Sequence, residues 1–284
     1  MKIGVFDSGY GGLTILEKIR ERLPEYDYLY LGDNARAPYG VRSFEVIYEY
    51  TLQAVRWLES QGCRLIILAC NTASAKALRT IQQHDIDPDK LRVLGVIRPT
   101  VEAVPALTKT GHVGILATPA TVSSESYVLE LNKIAAIPNS ANPRNLPLSI
   151  TQQSCPMWVP LIEAGEHMAD GADYYVDKYL RELFSKDPQI DTLILGCTHY
   201  PLLLGKISKW LNDKIVNGKI VNTIAQGAIV ADSLADYLSR HTDIAAALLR
   251  NGTCRYITTE SADKFRDSAS LFLSTPVEAE HMEW

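Results

Sequence analysis

Leu65-Ile66-Ile67-Leu68-Ala69-Cys70-Asn71-Thr72 and Thr192-Leu193-Ile194-Leu195-Gly196-Cys197-Thr198 are nearly one phrase written twice. Each is an uninterrupted apolar run ending in a small residue, a cysteine and a polar residue. Apolar runs of this length without alternation mark strands buried on both faces, as in a parallel sheet covered by helices. Similar runs lie at residues 3–6, 28–31, 93–96 and 113–116, and between them are helical patterns such as 44–60 and 73–83. The rhythm predicts an α/β fold of mostly parallel sheets flanked by helices.

A second internal match supports the first. Ile3-Gly4-Val5-Phe6-Asp7-Ser8 resembles Val113-Gly114-Ile115-Leu116-Ala117-Thr118, and the two matched pairs occur in the same order. Two similar domains follow, with residues 1–97 plus 212–284 expected in the first and 98–211 in the second. The Pro/Asn-rich stretch 138–147 is the expected place for extra loop in the second half. Four predicted strands end in polar or reactive residues: Asp7-Ser8-Gly9, Gly32-Asp33-Asn34, Cys70-Asn71-Thr72 and Cys197-Thr198-His199. Ligands of open α/β sheets bind beyond the carboxyl ends of strands. Facing domains would therefore bring both cysteines to one interdomain cleft.

Bulk properties narrow the classes of function. The 284 residues suit two ordinary domains, and 46% hydrophobic with 21% charged residues is a globular composition. The net charge of −5 is spread along the chain, with no Lys/Arg run of the kind that marks a nucleic-acid face. The N-terminus lacks the apolar core of a secretory signal, and no stretch has the length of a membrane span. A soluble cytoplasmic protein is expected. The five cysteines form no C-x-x-C pair, which argues against a disulfide framework and a structural zinc site.

Two strand-end thiols in matched settings suit stereoinversion. One takes an α-proton from one face of a substrate, and the other returns a proton to the opposite face. Cys70 starts an Ala-rich helical pattern, whose N-terminus is expected to lower the thiol pKa. No metal-ligand cluster and no lysine placed for a Schiff base stand out, so neither metal nor cofactor is expected. Backbone N–H groups and hydroxyls would then stabilise the carbanion. Cys63 and Cys254 read as structural, and Cys155 lacks the strand-end setting.

The motifs Phe6-Asp7-Ser8-Gly9-Tyr10-Gly11-Gly12, Gly32-Asp33-Asn34-Ala35-Arg36-Ala37-Pro38-Tyr39-Gly40, Ala69-Cys70-Asn71-Thr72-Ala73 and Leu195-Gly196-Cys197-Thr198-His199-Tyr200-Pro201-Leu202-Leu203 together resemble the glutamate racemase family, within the aspartate/glutamate racemase superfamily. Weaker matches at Thr118-Pro119-Ala120-Thr121, Cys155-Pro156 and Tyr256-Ile257-Thr258-Thr259 extend the resemblance from residue 3 to about residue 273. The resemblance implies a cofactor-independent racemase of glutamate that supplies D-glutamate for peptidoglycan, and a homodimer. Cys70 would act on the D-isomer's proton and Cys197 on the L-isomer's. Asp7, His199 and Glu163 would assist proton transfer. Asp7, Ser8, Pro38, Tyr39, Gly40, Asn71, Thr72, Thr198 and His199 would hold the substrate, and Thr118 and Thr121 would bind a carboxylate. Two departures from the family's pattern stand out. Ala117 replaces the usual Gly, and a methyl there is expected to shift the following loop. Residues 134–149 are also longer than the pattern.

Other readings of single residues stay open at this level. Asp7 is also a candidate helix cap, His199 a donor to a carbonyl, Glu163 a solvated helix-start acid, and Pro38-Tyr39-Gly40 a simple turn. Gly11 and Gly12 serve either a tight turn or substrate contact. The segment 7–12 lacks the Gly-Lys-Ser/Thr ending of a phosphate loop. Rival functions are racemisation of another acidic amino acid or a hydantoin, amino-acid binding without turnover, and cysteine hydrolysis with Cys197 and His199. The last is disfavoured by the two-residue spacing.

Overall fold

The computed structural model describes residues 1–137, 146–214 and 220–284. Ten strands form in chain order: β1 (Ile3–Asp7), β2 (Tyr28–Gly32), β3 (Leu65–Leu68), β4 (Arg92–Gly95), β5 (His112–Ala117), β6 (Ser149–Ser154), β7 (Thr192–Gly196), β8 (Asn222–Ile224), β9 (Cys254–Thr258) and β10 (Ala279–His281). They make two sheets, ordered β10-β9-β2-β1-β3-β4 and β6-β5-β7-β8. Every recorded strand pair is parallel. Strands β1, β2, β3 and β7 are buried along their whole length, as their unbroken apolar runs require.

The internal matches reappear as topology. β1 lies between β2 and β3, and β5 lies between β6 and β7. The order β2-β1-β3-β4 in one sheet is thus the order β6-β5-β7-β8 in the other. In each sheet the strand order reverses direction beside the central strand, which opens a crevice at the carboxyl ends. Asp7 and Cys70 stand at that place in the first sheet, and Thr118 and Cys197 in the second. The expected return to the first domain at residue 212 falls short of β8, which pairs with β7 and so extends the second sheet to Ile224. The stretch 138–147, expected to carry extra loop, falls outside the described residues over 138–145.

The helices follow from local pattern. α1 (Gly12–Arg22) buries Leu13, Ile15, Leu16 and Ile19 and packs against the helix Gln226–Arg240. α2 (Phe44–Ser60) buries Ile47, Thr51, Ala54, Val55 and Leu58, a stripe of period near 3.6. Ser43 caps its start by accepting from the Val46 N–H at 3.4 Å, and Gly62 follows its end with a positive φ of 83°. The expected helix over 73–83 starts earlier and is broken. α3 (Asn71–Lys76) begins directly after Cys70, and a short turn and a π-helical turn carry the chain on to Asp85. Among the described residues no helix is long and apolar enough to cross a membrane.

Candidate functional site

One cavity lies between the carboxyl ends of the two sheets. It encloses about 600 Å³ of empty space, part of it open to solvent. The first sheet contributes Asp7, Ser8, Gly9, Pro38, Tyr39, Gly40, Cys70, Asn71 and Thr72 to its wall. The second contributes Thr118, Cys155, Glu163, Cys197, Thr198 and His199. Of the residues expected at the site, Thr121 alone does not line the cavity. It is fully buried behind the wall, where its Oγ1 accepts from Thr118 Oγ1 at 3.0 Å and lies 3.4 Å from Thr72 Oγ1. Its hydroxyl is spent on orienting Thr118. Val41, Pro119, Pro156, Val159 and Pro160 also line the cavity and were not singled out in sequence. They carry no chemical signal beyond their apolar surface, which excludes water and strengthens electrostatic interactions inside.

The Cys70 side is built by β1 and β3. Cys70 caps α3, its Sγ accepting from the Ala73 N–H at 3.4 Å, and Ser8 Oγ lies 3.1 Å from the same sulfur. The expected lowering of its pKa is not found. Burial pushes the thiol up to about 12, and the Asp7 charge adds to this against the hydrogen bonds from Ser8 and Ala73. A short helix's field does not offset the loss of water around a buried thiolate beside a carboxylate. Asp7 is 1% exposed and accepts from the Gly12 N–H at 2.8 Å. Burial pushes its carboxyl up to about 6, against the opposing His199 charge and backbone N–H groups. Asp7 does contact a helix start, as the capping alternative held, but from within the cavity wall.

The Cys197 side is built by β7 and the turn after it. His199 folds back so that its Nδ1 lies 3.8 Å from Cys197 Sγ, while its Nε2 lies 2.8 Å from Glu163 Oε1. Burial disfavours the charged ring, but the hydrogen bonds to Cys197 and Glu163 outweigh it and hold His199 at about 10. The surroundings thus favour the charged ring, in which both nitrogens donate. The two-residue spacing that disfavoured this pairing in sequence is no obstacle, because the turn at Cys197–Tyr200 brings ring and sulfur together. Cys155, left without a role in sequence, lines the cavity as a neutral thiol. It donates to Gln153 O at 3.6 Å, and burial pushes its pKa well above the ordinary value.

The two halves are fastened across the cleft. Thr72 Oγ1 lies 3.0 Å from Thr118 Oγ1, Thr14 Oγ1 donates to Thr198 O at 3.1 Å, and the Ala120 N–H donates to Gly40 O at 2.9 Å. Gly11 and Gly12 serve this closeness. A Cβ on Gly11 would collide with His199 Nδ1 and come within 2.5 Å of Thr198 Oγ1, and one on Gly12 would lie 2.6 Å from Asp7 Cβ. Pro38-Tyr39-Gly40 is more than a turn. The Tyr39 hydroxyl donates to the buried Asp33 carboxylate, which also accepts from Arg36 Nε at 2.7 Å, Thr259 Oγ1 at 2.9 Å and Trp284 Nε1 at 2.9 Å. The Ala117 methyl is accommodated beside Gly196, where a Cβ would approach it to 3.2 Å. Thr118 still caps the next helix and lines the cavity.

Among the described residues, no group of three or more His, Cys, Asp or Glu is arranged to hold a metal ion, and the cavity wall contains no lysine or arginine. An anionic ligand would be held by hydroxyls, amides and backbone N–H groups, with His199 as the cationic side chain.

A two-sheet α/β fold with Cys70 of one half and Cys197 of the other on a shared cleft has the parts that two-base stereoinversion needs, and comparison with known proteins identifies the class. The family model for Asp/Glu/Hydantoin racemases matches residues 3–221, and the chain belongs to this family of amino-acid racemases. Within the family its full length aligns with glutamate racemases. That of Ruegeria sp. (strain TM1040) is 40% identical, covering 96% of this chain and 97% of the relative. The solved glutamate racemase of Bacillus anthracis superposes with a TM-score of 0.84 at 31% identity, over 99% of this chain and 97% of the other. That of Francisella tularensis, solved with D-glutamate, gives 0.81 at 33% identity over the same shares. The aspartate racemase of Picrophilus torridus, 18% identical with a TM-score of 0.51 over 84% of this chain and 95% of the other, shares the fold.

Proposed function

We propose that this chain interconverts L- and D-glutamate by a two-base mechanism that draws on no external cofactor, with Cys70 and Cys197 as the proton-transferring groups. The observation that carries the reading is that these two thiols, one from each sheet, line the same cavity. Glutamate is favoured as substrate by the roughly 40% identity to glutamate racemases along the chain. The Francisella relative's structure with D-glutamate supports the same choice.

In the L-to-D direction, Cys197 removes the α-proton and Cys70 delivers its own proton to the opposite face. A thiol pushed up to about 12 is well suited to arrive protonated. His199, whose charged form is favoured by Cys197 and Glu163, faces the sulfur that gains the proton and lies on the cavity where negative charge develops. In the reverse direction Cys70 is the base, and Asp7, whose charge acts on the thiol within the same wall, assists its proton transfer as the substrate binds. Ser8, Tyr39, Asn71, Thr72, Thr118 and Thr198 supply the neutral polar groups around the substrate. Pro38 and Gly40 shape the loop that holds Tyr39. Thr121 acts through Thr118. The enzyme would work in the cytoplasm as a homodimer and supply D-glutamate for peptidoglycan.

The row Cys197, His199, Glu163 is also the layout of a nucleophilic thiol and its base. A hydrolase would leave Cys70 on the facing wall without a task. The test is circular dichroism of L-glutamate incubated with the protein and no added cofactor. The signal should decay to zero, since mirror-image substrates have equal free energy. A stable signal with glutamate, or decay with aspartate only, would overturn the assignment.

A further inference from the structure

Gln226 stands where the chain returns from the second sheet to the first, and its side chain reaches a residue of the cavity wall. The outward crossing runs through the helix Ile97–Leu107, and the return runs from β8 into the helix that Gln226 begins. Gln226 is 2% exposed. Its Oε1 accepts from Asn71 Nδ2 at 2.6 Å. Its Nε2 lies 2.8 Å from Thr100 Oγ1, 2.9 Å from Tyr127 Oη and 3.3 Å from Asn71 Oδ1. Tyr127 Oη in turn donates to Asn71 Oδ1 at 2.7 Å.

Counting donors and acceptors gives this cluster a consequence for the cavity. A side-chain amide offers two N–H donors and an oxygen with two acceptor sites. The Asn71 oxygen is approached by Tyr127 and Gln226, and one Asn71 N–H is taken by Gln226. The second Asn71 N–H is what remains to point at a ligand. Reversing the amide would set Asn71 Oδ1 against Gln226 Oε1 and forfeit buried hydrogen bonds, which cost about 1–3 kcal/mol each when left unmade. A donor suits a substrate carboxylate, and an acceptor there would repel it.

We infer that Gln226 is a positioning residue for racemisation, fixing the Asn71 amide so that its N–H faces the substrate. The inference rests on the reading of the cavity as the glutamate site. It links the crossing between the sheets to substrate affinity, because Gln226 also holds Thr100 of the outward crossing and Tyr127 of the second domain's helical layer.

The test is a double-mutant cycle between Gln226→Met and Asn71→Ala, read as KM and kcat for L-glutamate. Gln226→Met alone should raise KM about ten-fold with kcat changed less than about three-fold, and on the Asn71→Ala background it should change kcat/KM by less than about two-fold. Tyr127→Phe, which deletes a single hydroxyl, should raise KM in the same direction and also fall silent on that background. Equal losses in both backgrounds, or a native KM in Gln226→Met, would overturn the proposal. If Asn71→Ala raises KM while Gln226→Met and Tyr127→Phe do not, the proposal alone fails. If Asn71→Ala keeps the native KM, the substrate role of Asn71 fails with it.

Discussion

Glu163 Oε1 and His199 Nε2 stand 2.8 Å apart, and the opposite nitrogen of the same ring faces Cys197 Sγ at 3.8 Å. The acid therefore reaches the sulfur through the ring: after Cys197 itself, it is the contact that raises the imidazole to about 10 and favours the charged form against the thiol. Glu163→Gln keeps an acceptor for Nε2 but removes the negative charge. The alkaline limb of kcat/KM against pH should then move down by about one unit. An unmoved limb would show that Glu163 does not act through His199.

Under the proposed mechanism, Asp7 links catalysis to stability with a definite sign. Its pKa in the folded protein, about 6, lies above the ordinary 3.8, so the fold favours the protonated acid. The resulting stability is fully present below about pH 4 and is lost as pH rises through about 6. Asp7→Asn should accordingly melt about 2–4 °C above the wild type at pH 8, with the gap closing toward pH 4. Its racemisation should fall, because no carboxylate remains beside Cys70 to assist its proton transfer. Thermal melts at the two pH values, with activity measured in parallel, check both halves.

Gly11 has no room for a side chain. Gly11→Ala would drive a methyl into His199 Nδ1 and Thr198 Oγ1. Overpacking of this kind costs about 1–3 kcal/mol, and kcat/KM should fall more than about ten-fold through displacement of His199. Activity close to the wild type in a stably folded Gly11→Ala would mean that the ring position is not critical.

The matched cysteines should be separable from the fold. Both are nearly buried, and serine is close to cysteine in size. Cys70→Ser and Cys197→Ser should each lose about 10²–10⁴-fold in racemisation while melting near the wild-type temperature. Polarimetry and thermal melts of the two variants are sufficient, and native turnover in either would remove that thiol from the mechanism.

Much of this was legible in the residues, and the exceptions have physical causes. Strands β1 to β5 and β7 are apolar runs and stood out as such. β6, with the sequence Ser149-Ile150-Thr151-Gln152-Gln153-Ser154, and the three-residue strands β8 and β10 did not. Each lies at a sheet edge, where polar and short segments are tolerated because pairing occurs on one side only. β9 is central and was visible only as a family motif at Tyr256–Thr259. At the site, the strand-end rule together with the matched cysteines brought most of the wall into view. The pKa of Cys70 was misjudged because sequence reveals a helix start but not burial next to Asp7. The pairing of His199 with Cys197 was undervalued because a two-residue spacing says nothing of how sharply the chain turns. Gln226 gave no signal at all, since its partners lie 99 to 155 residues away.

The central claim is that two thiols act on opposite faces of one carbon, and solvent deuterium reports on it most directly. L-glutamate is turned over in deuterated water and sampled early, before the product returns. D-glutamate should carry one deuterium at the α-carbon, while the unreacted L-glutamate keeps its hydrogen, because the base that removes the proton is not the acid that replaces it. Deuterium appearing equally in recovered L-glutamate, or the original hydrogen persisting in D-glutamate, would contradict the account.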